Sequence, residues 1–233
     1  MRHVHRLLIA GVFLSAVCSA QDLSKSFIEI STGIGLPVGV FASKKNNIES
    51  GLAMNGLGIN IEYNHCFRPR LGFCLGLKRN VFPLDVDAWT NSNPNASSGP
   101  WKVLLAYGGF ATRRRVRENT ILSIKAAIGL ATSKYPEATV MTYHNSNPVV
   151  TNFSSNASNA PAFLGGANLK YILSQRIHLA LNLDYLSTSP KFIVKRETIY
   201  SNQSSTVDNL HYTQNMQAVT VGLSLCYNFI PKK

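Results

Sequence analysis

The chain has few cysteines, few charged residues and no long apolar run after its N-terminus. Four of its 233 residues are cysteine and 15% are charged. It contains no Cys-x-x-Cys, His-x-His or His-Glu-x-x-His spacing, so neither a metal site nor any other cofactor is predicted. A transmembrane helix needs about 20 consecutive apolar residues. No such stretch follows the first 20 residues, so no transmembrane helix is expected there.

Acidic residues are also scarce. The chain has 11 Asp and Glu against 23 Lys and Arg, which leaves a formal net charge of +12. Such a charge invites a nucleic-acid partner, but no basic helix or aromatic-basic motif accompanies it, so nucleic acid is excluded as a partner. A basic chain that is exported meets membrane lipids and anionic sugars instead.

The N-terminus has the form of a secretory signal peptide. Arg2 and Arg6 supply the basic region, residues 7–17 are apolar or small, and small residues lead up to Ala20. We expect cleavage after Ala20, which divides the chain into a signal peptide (1–20) and one domain (21–233). A lipid anchor on Cys18 is the weaker alternative, because the preceding Val17 is bulky.

The strongest positive feature is an alternation of apolar and polar residues with a period of two. From Gly56 to Phe67 the odd positions are apolar except for His65, and the even positions are glycine or polar; the last segment repeats the pattern. Side chains on a strand alternate between its faces, so one face is apolar and the other polar or small. Eight segments are predicted as strands: 27–41, 55–67, 71–82, 101–112, 120–134, 162–173, 177–188 and 215–229. The fourth fits worst, because Leu104 and Leu105 are adjacent.

The connections between these segments alternate in length. Three are short, at 68–70, 113–119 and 174–176. Four are long and rich in Asn, Ser, Thr and Pro, at 42–54, 83–100, 135–161 and 189–214. Transmembrane barrels have short periplasmic turns and long external loops. The sequence therefore predicts an all-β fold, an eight-stranded antiparallel up-and-down transmembrane β-barrel in the cell outer membrane with both termini periplasmic. A secreted lipocalin-like barrel is the soluble alternative.

Aromatic residues near the strand ends fit interfacial belts at both edges of the apolar band. With these strand directions, one set falls near the periplasmic end and another near the outer end. The first set is Phe67, Phe73, Phe110, Tyr171, Tyr227 and Phe229; the second is Trp101, Tyr135 and Tyr185.

These patterns resemble the small outer-membrane β-barrel domain family of Gram-negative bacteria, the eight-stranded barrels like OmpX and the OmpA barrel. The resemblance rests on residues 33–39, 56–63, 181–186 and 222–229. The last strand is also similar to the signal that the outer-membrane insertion machinery reads, through Thr220, Gly222, Leu225, Tyr227 and Phe229. It departs from the commonest form of that signal because residues 230–233 follow the aromatic residue Phe229. The resemblance implies an outer-membrane location, contact with membrane lipid and lipopolysaccharide, and the insertion machinery as a partner; it implies no substrate.

The face predicted to point inward carries ionisable groups: Glu29, Glu62, Lys78, Lys102, Lys125, Lys170, His178 and Asp184. Side chains nearly fill an eight-stranded barrel, which excludes a wide porin. Enclosed charges should pair, since isolated buried ions are costly. We favour a structural network that plugs the lumen; the alternative is a narrow pore, biased toward anions by its four lysines.

Cys66 and Cys74 flank the turn at 68–70 on the inward face of their strands. An oxidising compartment permits a disulfide between them. Two small inert thiols are the other interpretation, and the sequence leaves both open.

No catalytic arrangement stands out, so the protein is predicted not to be an enzyme; a barrel enzyme with its active site in the external loops is the less favoured alternative. Glu29 and Glu62 could form a carboxylate pair for glycoside hydrolysis, but the alternation places them in a packed lumen. His144 and His211 lie in loops without suitable partners. The expected role is structural or a surface interaction through the long external loops, whose partner the sequence does not name.

Overall fold

The computed structural model describes residues 26–44, 50–90, 93–144, 147–202 and 204–229. The predicted signal peptide and residues 230–233 lie outside these ranges. Within them, no helix combines the length and apolar character that crossing a membrane requires. The helical structure described is a 3₁₀ turn, Gly39–Ala42, and one short helix, Val86–Thr90 (α1).

Thirteen strands form a barrel and a second sheet, and eight of them close the barrel. The barrel strands are β1 (Ser26–Val38), β2 (Gly56–Cys66), β3 (Leu71–Phe82), β5 (Trp101–Arg117), β6 (Thr120–Lys134), β9 (Ser158–Ile172), β10 (Ile177–Thr188) and β13 (Met216–Phe229). Their order around the barrel is β1-β13-β10-β9-β6-β5-β3-β2, and every adjacent pair is antiparallel. The predicted eight-stranded up-and-down barrel is confirmed.

The remaining five strands come from three of the long connections and form an open sheet. The sequence predicts polar loops here, and that prediction is wrong. Apolar residues such as Phe192 and Val194 alternate with exposed residues and form a buried face. The overall composition of these connections is polar, so it does not reveal this face. We call this the external sheet: β4 (Ala96–Ser98), β7 (Ala138–His144), β8 (Asn147–Ser155), β11 (Lys191–Ile199) and β12 (Ser205–Thr213). Its strand order is β12-β11-β8-β7-β4.

The barrel has two distinct ends. Three short turns join β2 to β3, β5 to β6 and β9 to β10 at one end, which we call the turn end. Ser26 pairs with Phe229 there, so both ends of the described chain lie beside these turns. The long connections and the external sheet occupy the other end, the loop end.

The outer surface of the barrel is apolar. Leu57, Ile128 and Leu223 expose 66%, 74% and 68% of their surface, and each has a buried neighbour in its own strand: Gly58, Ala127 and Ser224. A band of exposed apolar side chains around a closed barrel marks a lipid-facing surface. The predicted alternation between faces is therefore present in the folded chain.

Strand β5 is the exception to the predicted faces. Trp101, Val103 and Leu105 are buried in the barrel, whereas Lys102 and Leu104 are exposed on its outside. The prediction that Lys102 lines the lumen is wrong. In this half of the barrel the interior is itself apolar, so both faces of β5 carry apolar residues and alternation does not distinguish them.

The aromatic belts are only partly as predicted. Phe67, Phe110, Tyr171, Tyr227 and Phe229 are exposed at the turn end, by 43–65%. At the loop end the prediction is wrong for two residues. Trp101 is 2% exposed and lies inside the barrel, and Tyr135 packs against it with ring centroids 4.8 Å apart.

Candidate functional site in the lumen and the external sheet

The lumen near the turn end contains six buried charged residues that the alternation predicted to point inward. Three are lysines on β3, β6 and β9, and three are carboxylates on β1, β2 and β10. Each side chain is 5% exposed or less. The six are Glu29, Glu62, Lys78, Lys125, Lys170 and Asp184, which we call the lumen network.

Lys125 is the central cation of this network. Its Nζ lies 2.7 Å from Oε2 of Glu62 and 3.2 Å from Oδ1 of Asp184. The other carboxylate oxygen of Asp184 accepts a hydrogen bond from Nζ of Lys78 at 2.7 Å. Four charges of alternating sign are thus linked across strands β2, β6, β10 and β3, which ties together distant parts of the barrel wall.

Two glycines make these contacts sterically possible. Gly166 lies between Lys125 and Asp184 in the strand register, and a Cβ there would stand 2.6 Å from Cε of Lys125. Gly76 lies in the same way between Glu62 and Tyr107, and a Cβ there would stand 2.5 Å from the Tyr107 ring. Each glycine lets a long side chain pass over its strand to reach a partner.

Uncharged side chains complete the bonding around Glu62. The Tyr107 hydroxyl donates to Oε2 of Glu62 at 2.6 Å and lies 2.9 Å from the side-chain oxygen of Asn60. Asn64 donates to the other carboxylate oxygen of Glu62 at 2.8 Å. The sequence analysis did not identify Tyr107, because it assigned Lys102 to the lumen, and these two residues of β5 lie on opposite faces.

Glu29 forms a second cluster with Lys170. Their side chains are 2.6 Å apart, and Asn168 and Ser224 donate to Oε1 of Glu29 at 2.9 and 3.0 Å. The ammonium of Lys170 also lies 3.8 Å from the centre of the Phe27 ring, a cation–π contact. Both carboxylate oxygens and the ammonium therefore have partners, which is the condition for tolerating buried charge.

The charges of the lumen network balance, with three lysines and three carboxylates. His178, also predicted to line the lumen, is buried and lies 2.9 Å from Nδ2 of Asn228. A cavity of about 20 Å³ beside Glu62, Lys125 and Lys170 has room for a water molecule.

The loop-end half of the lumen is apolar, whereas the sequence predicts a polar plug. Phe41, carried by the first long connection, packs against Phe82 and Trp101 with ring centroids 5.3 and 5.7 Å apart. The indole of Trp101 donates to the carbonyl of Gly51 at 2.8 Å. Other buried members of this apolar cap are Leu105, Leu164, Phe192 and Met216.

The external sheet covers this cap with one face. Phe192 lies 5.9 Å from both Trp101 and Tyr135, and Tyr135 stacks on Tyr212 at 5.9 Å. Burial raises the pKa of Tyr135 to about 12, so its phenol stays neutral at ordinary pH. The cap and the sheet together form a second core above the lumen network.

The opposite face of the external sheet is exposed and mixed in chemistry. Ile193, Val207 and Tyr143 expose 57%, 51% and 63% of their surface, and they share this face by register. Polar neighbours on the same face include Lys195, Asn209 and His211, so the surface offers apolar and hydrogen-bonding groups together.

The three described cysteines, Cys66, Cys74 and Cys226, are buried free thiols. Cys74 pairs with Asn64 and Cys66 with Gly72, so the two candidates for a disulfide are offset along the hairpin. Among the described residues, no group of three or more His, Cys, Asp or Glu side chains could hold a metal ion.

The residues that resemble an insertion signal alternate on β13. Thr220 is buried inside the barrel, whereas Leu225, Tyr227 and Phe229 are exposed on its outside by 53%, 45% and 43%. Gly222 pairs directly with Gly33 on β1, at the seam where the first and last strands meet.

No protein-family model and no curated protein sequence matches the chain. Several solved structures, in contrast, match the fold of the chain. Neisserial surface protein A (NspA) superposes with a TM-score of 0.50 at 11% identity, covering 90% of this chain and 100% of that one. A major outer membrane protein from Thermus thermophilus gives 0.53 at 11% identity, covering 88% and 99%. The chain therefore has the fold of the small eight-stranded outer-membrane β-barrels.

Proposed function

We propose that the protein spans the outer membrane as a closed barrel and acts through its external sheet as a surface-interaction protein. The observation that carries this proposal is that the barrel interior is filled, whereas one end of the barrel presents an exposed sheet. The lumen is filled by the lumen network and the apolar cap, while three connections build an ordered, exposed sheet at one end. A barrel of this kind supplies rigidity and placement, and its external elements supply specificity.

Several features support a membrane location and an orientation. The apolar outer surface requires lipid or detergent, and both structural neighbours are named as surface or outer membrane proteins. In our proposal the turn end and both termini face the periplasm, and the external sheet faces the medium in contact with lipopolysaccharide. The alternating strand β13 is the segment that the insertion machinery would read.

Transport is the competing function, and the geometry disfavours it. An anion-biased pore would need unpaired lysines along the lumen. Lys78, Lys125 and Lys170 each lie within 2.7 Å of a carboxylate oxygen, and Lys102 is outside the barrel. The arrangement of Glu29 and Glu62 gives no support to an enzyme either, because both are enclosed and bonded to other side chains.

The closed lumen is tested by electrical recording. The protein in a planar lipid bilayer is expected to show no steady conductance, because ions cannot cross the apolar cap without losing their hydration. Lys102→Glu is expected to change nothing, since this side chain points to the outside. Steady anion-selective currents that Lys102→Glu abolishes would overturn the closed-lumen proposal and favour the pore.

The orientation is tested by labelling intact cells. Val207→Cys on the external sheet is expected to react with a membrane-impermeant maleimide, because Val207 is 51% exposed. The three described native cysteines are buried and should contribute little background. Arg117→Cys at the turn end is the matched control, which should react only after the outer membrane is permeabilised. The reverse order of labelling would show that the proposed orientation is inverted.

A further inference from the structure

Arginine is concentrated at the turn end of the barrel. Seven arginines lie on or beside the three short turns, and Glu118 is the one acidic residue described there. No described residue of these turns is lysine. The seven are Arg68, Arg70, Arg113, Arg114, Arg115, Arg117 and Arg176.

The loop end has a different charge pattern. Its cations are mainly lysines, and several have acidic partners close by. Lys44 lies 2.8 Å from Asp85, and Lys134 lies 2.6 Å from Glu137. The excess of unneutralised positive charge is therefore a property of the turn end and not of the whole surface.

Four of the turn-end arginines are exposed and form no ion pair with a described residue. Arg68 lies on the β2–β3 turn, Arg114 and Arg117 near the end of β5, and Arg176 on the β9–β10 turn. They are distributed over three turns around the rim, and we call them the arginine collar.

The arginine collar borders the lipid-facing surface. Arg114 is on the outward face of β5, four residues beyond Phe110 on the same face, and it pairs with the outward Leu122 of β6. Phe110 and Tyr171 belong to the exposed aromatic belt at this end, and such belts mark the headgroup region of a bilayer. The collar is thus placed where lipid phosphates lie.

The choice of arginine also indicates phosphate. A guanidinium is planar and presents several N–H donors that match two phosphate oxygens at once, whereas an ammonium acts as a point charge. A collar that served only for solubility would gain as much from lysine, which the chain uses at the loop end.

We propose that the arginine collar binds the phosphate groups of anionic phospholipids in the membrane leaflet that surrounds the turn end. This rests on the proposed membrane-spanning barrel, though not on which leaflet the turn end meets. Bound headgroups would neutralise the guanidinium groups and hold the barrel at a defined depth in the bilayer.

The test measures which lipids the folded barrel retains. The full protein in a neutral detergent is mixed with equal amounts of phosphatidylglycerol and phosphatidylcholine, and native mass spectrometry counts the lipids bound. The wild type is expected to retain mainly phosphatidylglycerol. A basic residue near a membrane surface is worth about a fivefold preference. Arg68→Gln, Arg114→Gln, Arg117→Gln and Arg176→Gln combined should lower the ratio at least tenfold.

Two further variants separate charge from geometry. The same four positions changed to lysine keep the charge but lose bidentate bonding, so an intermediate ratio is expected. Removing four loop-end charges, by changing Lys44, Lys102, Lys134 and Lys195 to glutamine, should leave the ratio unchanged. The heat-dependent shift in gel mobility confirms that each variant is folded, and Arg114→Gln alone replaces the combined variant if that fails to fold.

Several outcomes would overturn the proposal. An unchanged ratio in the glutamine variants would show that the collar does not select headgroups, and an equal loss in the loop-end control would reduce the effect to net charge. Displacement of the lipid by inorganic phosphate would assign the collar to a free anion, and displacement by polyglutamate would assign it to an acidic protein. A protein that stays soluble without detergent would instead refute the membrane-spanning barrel itself.

Discussion

Replacing Lys125 with methionine is expected to lower the free energy of unfolding of the barrel by about 3–5 kcal/mol. The ammonium contacts Glu62 and Asp184 at 2.7 and 3.2 Å, in a lumen where its side chain is 5% exposed. Without it, Glu62 loses its ion-pair partner and Asp184 keeps only Lys78. An enclosed carboxylate without a counter-charge costs more than the lost contact itself. Urea titration of the protein in lipid vesicles, with gel mobility as the readout of the folded fraction, measures this change in the free energy of unfolding.

A second substitution in the same molecule identifies the cause. Combining Lys125→Met with Glu62→Gln leaves the Lys78–Asp184 pair intact and removes the unpaired charge, so part of the stability should return. Lys195→Met on the external sheet is the control for loss of a lysine. Its side chain is 51% exposed and 3.5 Å from Glu197, and such surface pairs contribute about 0–1 kcal/mol. A stable Lys125→Met protein would mean that the lumen network is dispensable for folding.

Introducing arginine on the lipid-facing side should be nearly as damaging. Leu223 lies at the middle of β13, is 68% exposed on the outside of the barrel, and pairs with Thr32 and Leu181. Leu223→Arg is expected to cost about 2–4 kcal/mol, because the charge must enter the hydrocarbon region or draw water into it. The same urea titration in vesicles reports the loss.

Val207→Arg provides the matched control. Val207 is also an exposed apolar residue on a strand, at 51%, but it belongs to the external sheet. A change of about 0.5 kcal/mol or less is expected there, as for ordinary surface substitutions. Equal effects at the two positions would contradict the assignment of the barrel surface to lipid.

Local patterns in the chain account for the barrel. A period of two determines which residues share a face, and the alternation of short and long connections determines which strands neighbour each other. Glu29, Glu62 and Asp184 could be assigned to the interior for this reason, because their neighbours along the strand are apolar and the interior near the turn end is polar. The exposed aromatics at the turn end followed from the same strand directions.

Alternation fails wherever both sides of a strand are apolar. Residues 101–107 of β5 separate the apolar cap from the outer surface, so their sequence carries no contrast between the faces. For that reason Lys102 was assigned inward, and Tyr107 was not identified as a lumen residue. The prediction of polar loops from composition was wrong for a similar reason. In the long connections, a few buried residues such as Val194 within polar segments were enough to form the external sheet.

By itself, the sequence determined the number of barrel strands, their order and the face of most residues, because these depend on neighbours along the chain. The tertiary structure decided which charges pair. Lys125 meets Glu62 from a position 63 residues away, and the contact requires barrel closure. Its contact with Asp184 also requires a glycine on the strand between them. Contacts across a lumen depend on closure and on side-chain reach, and neither is a periodic property of a sequence.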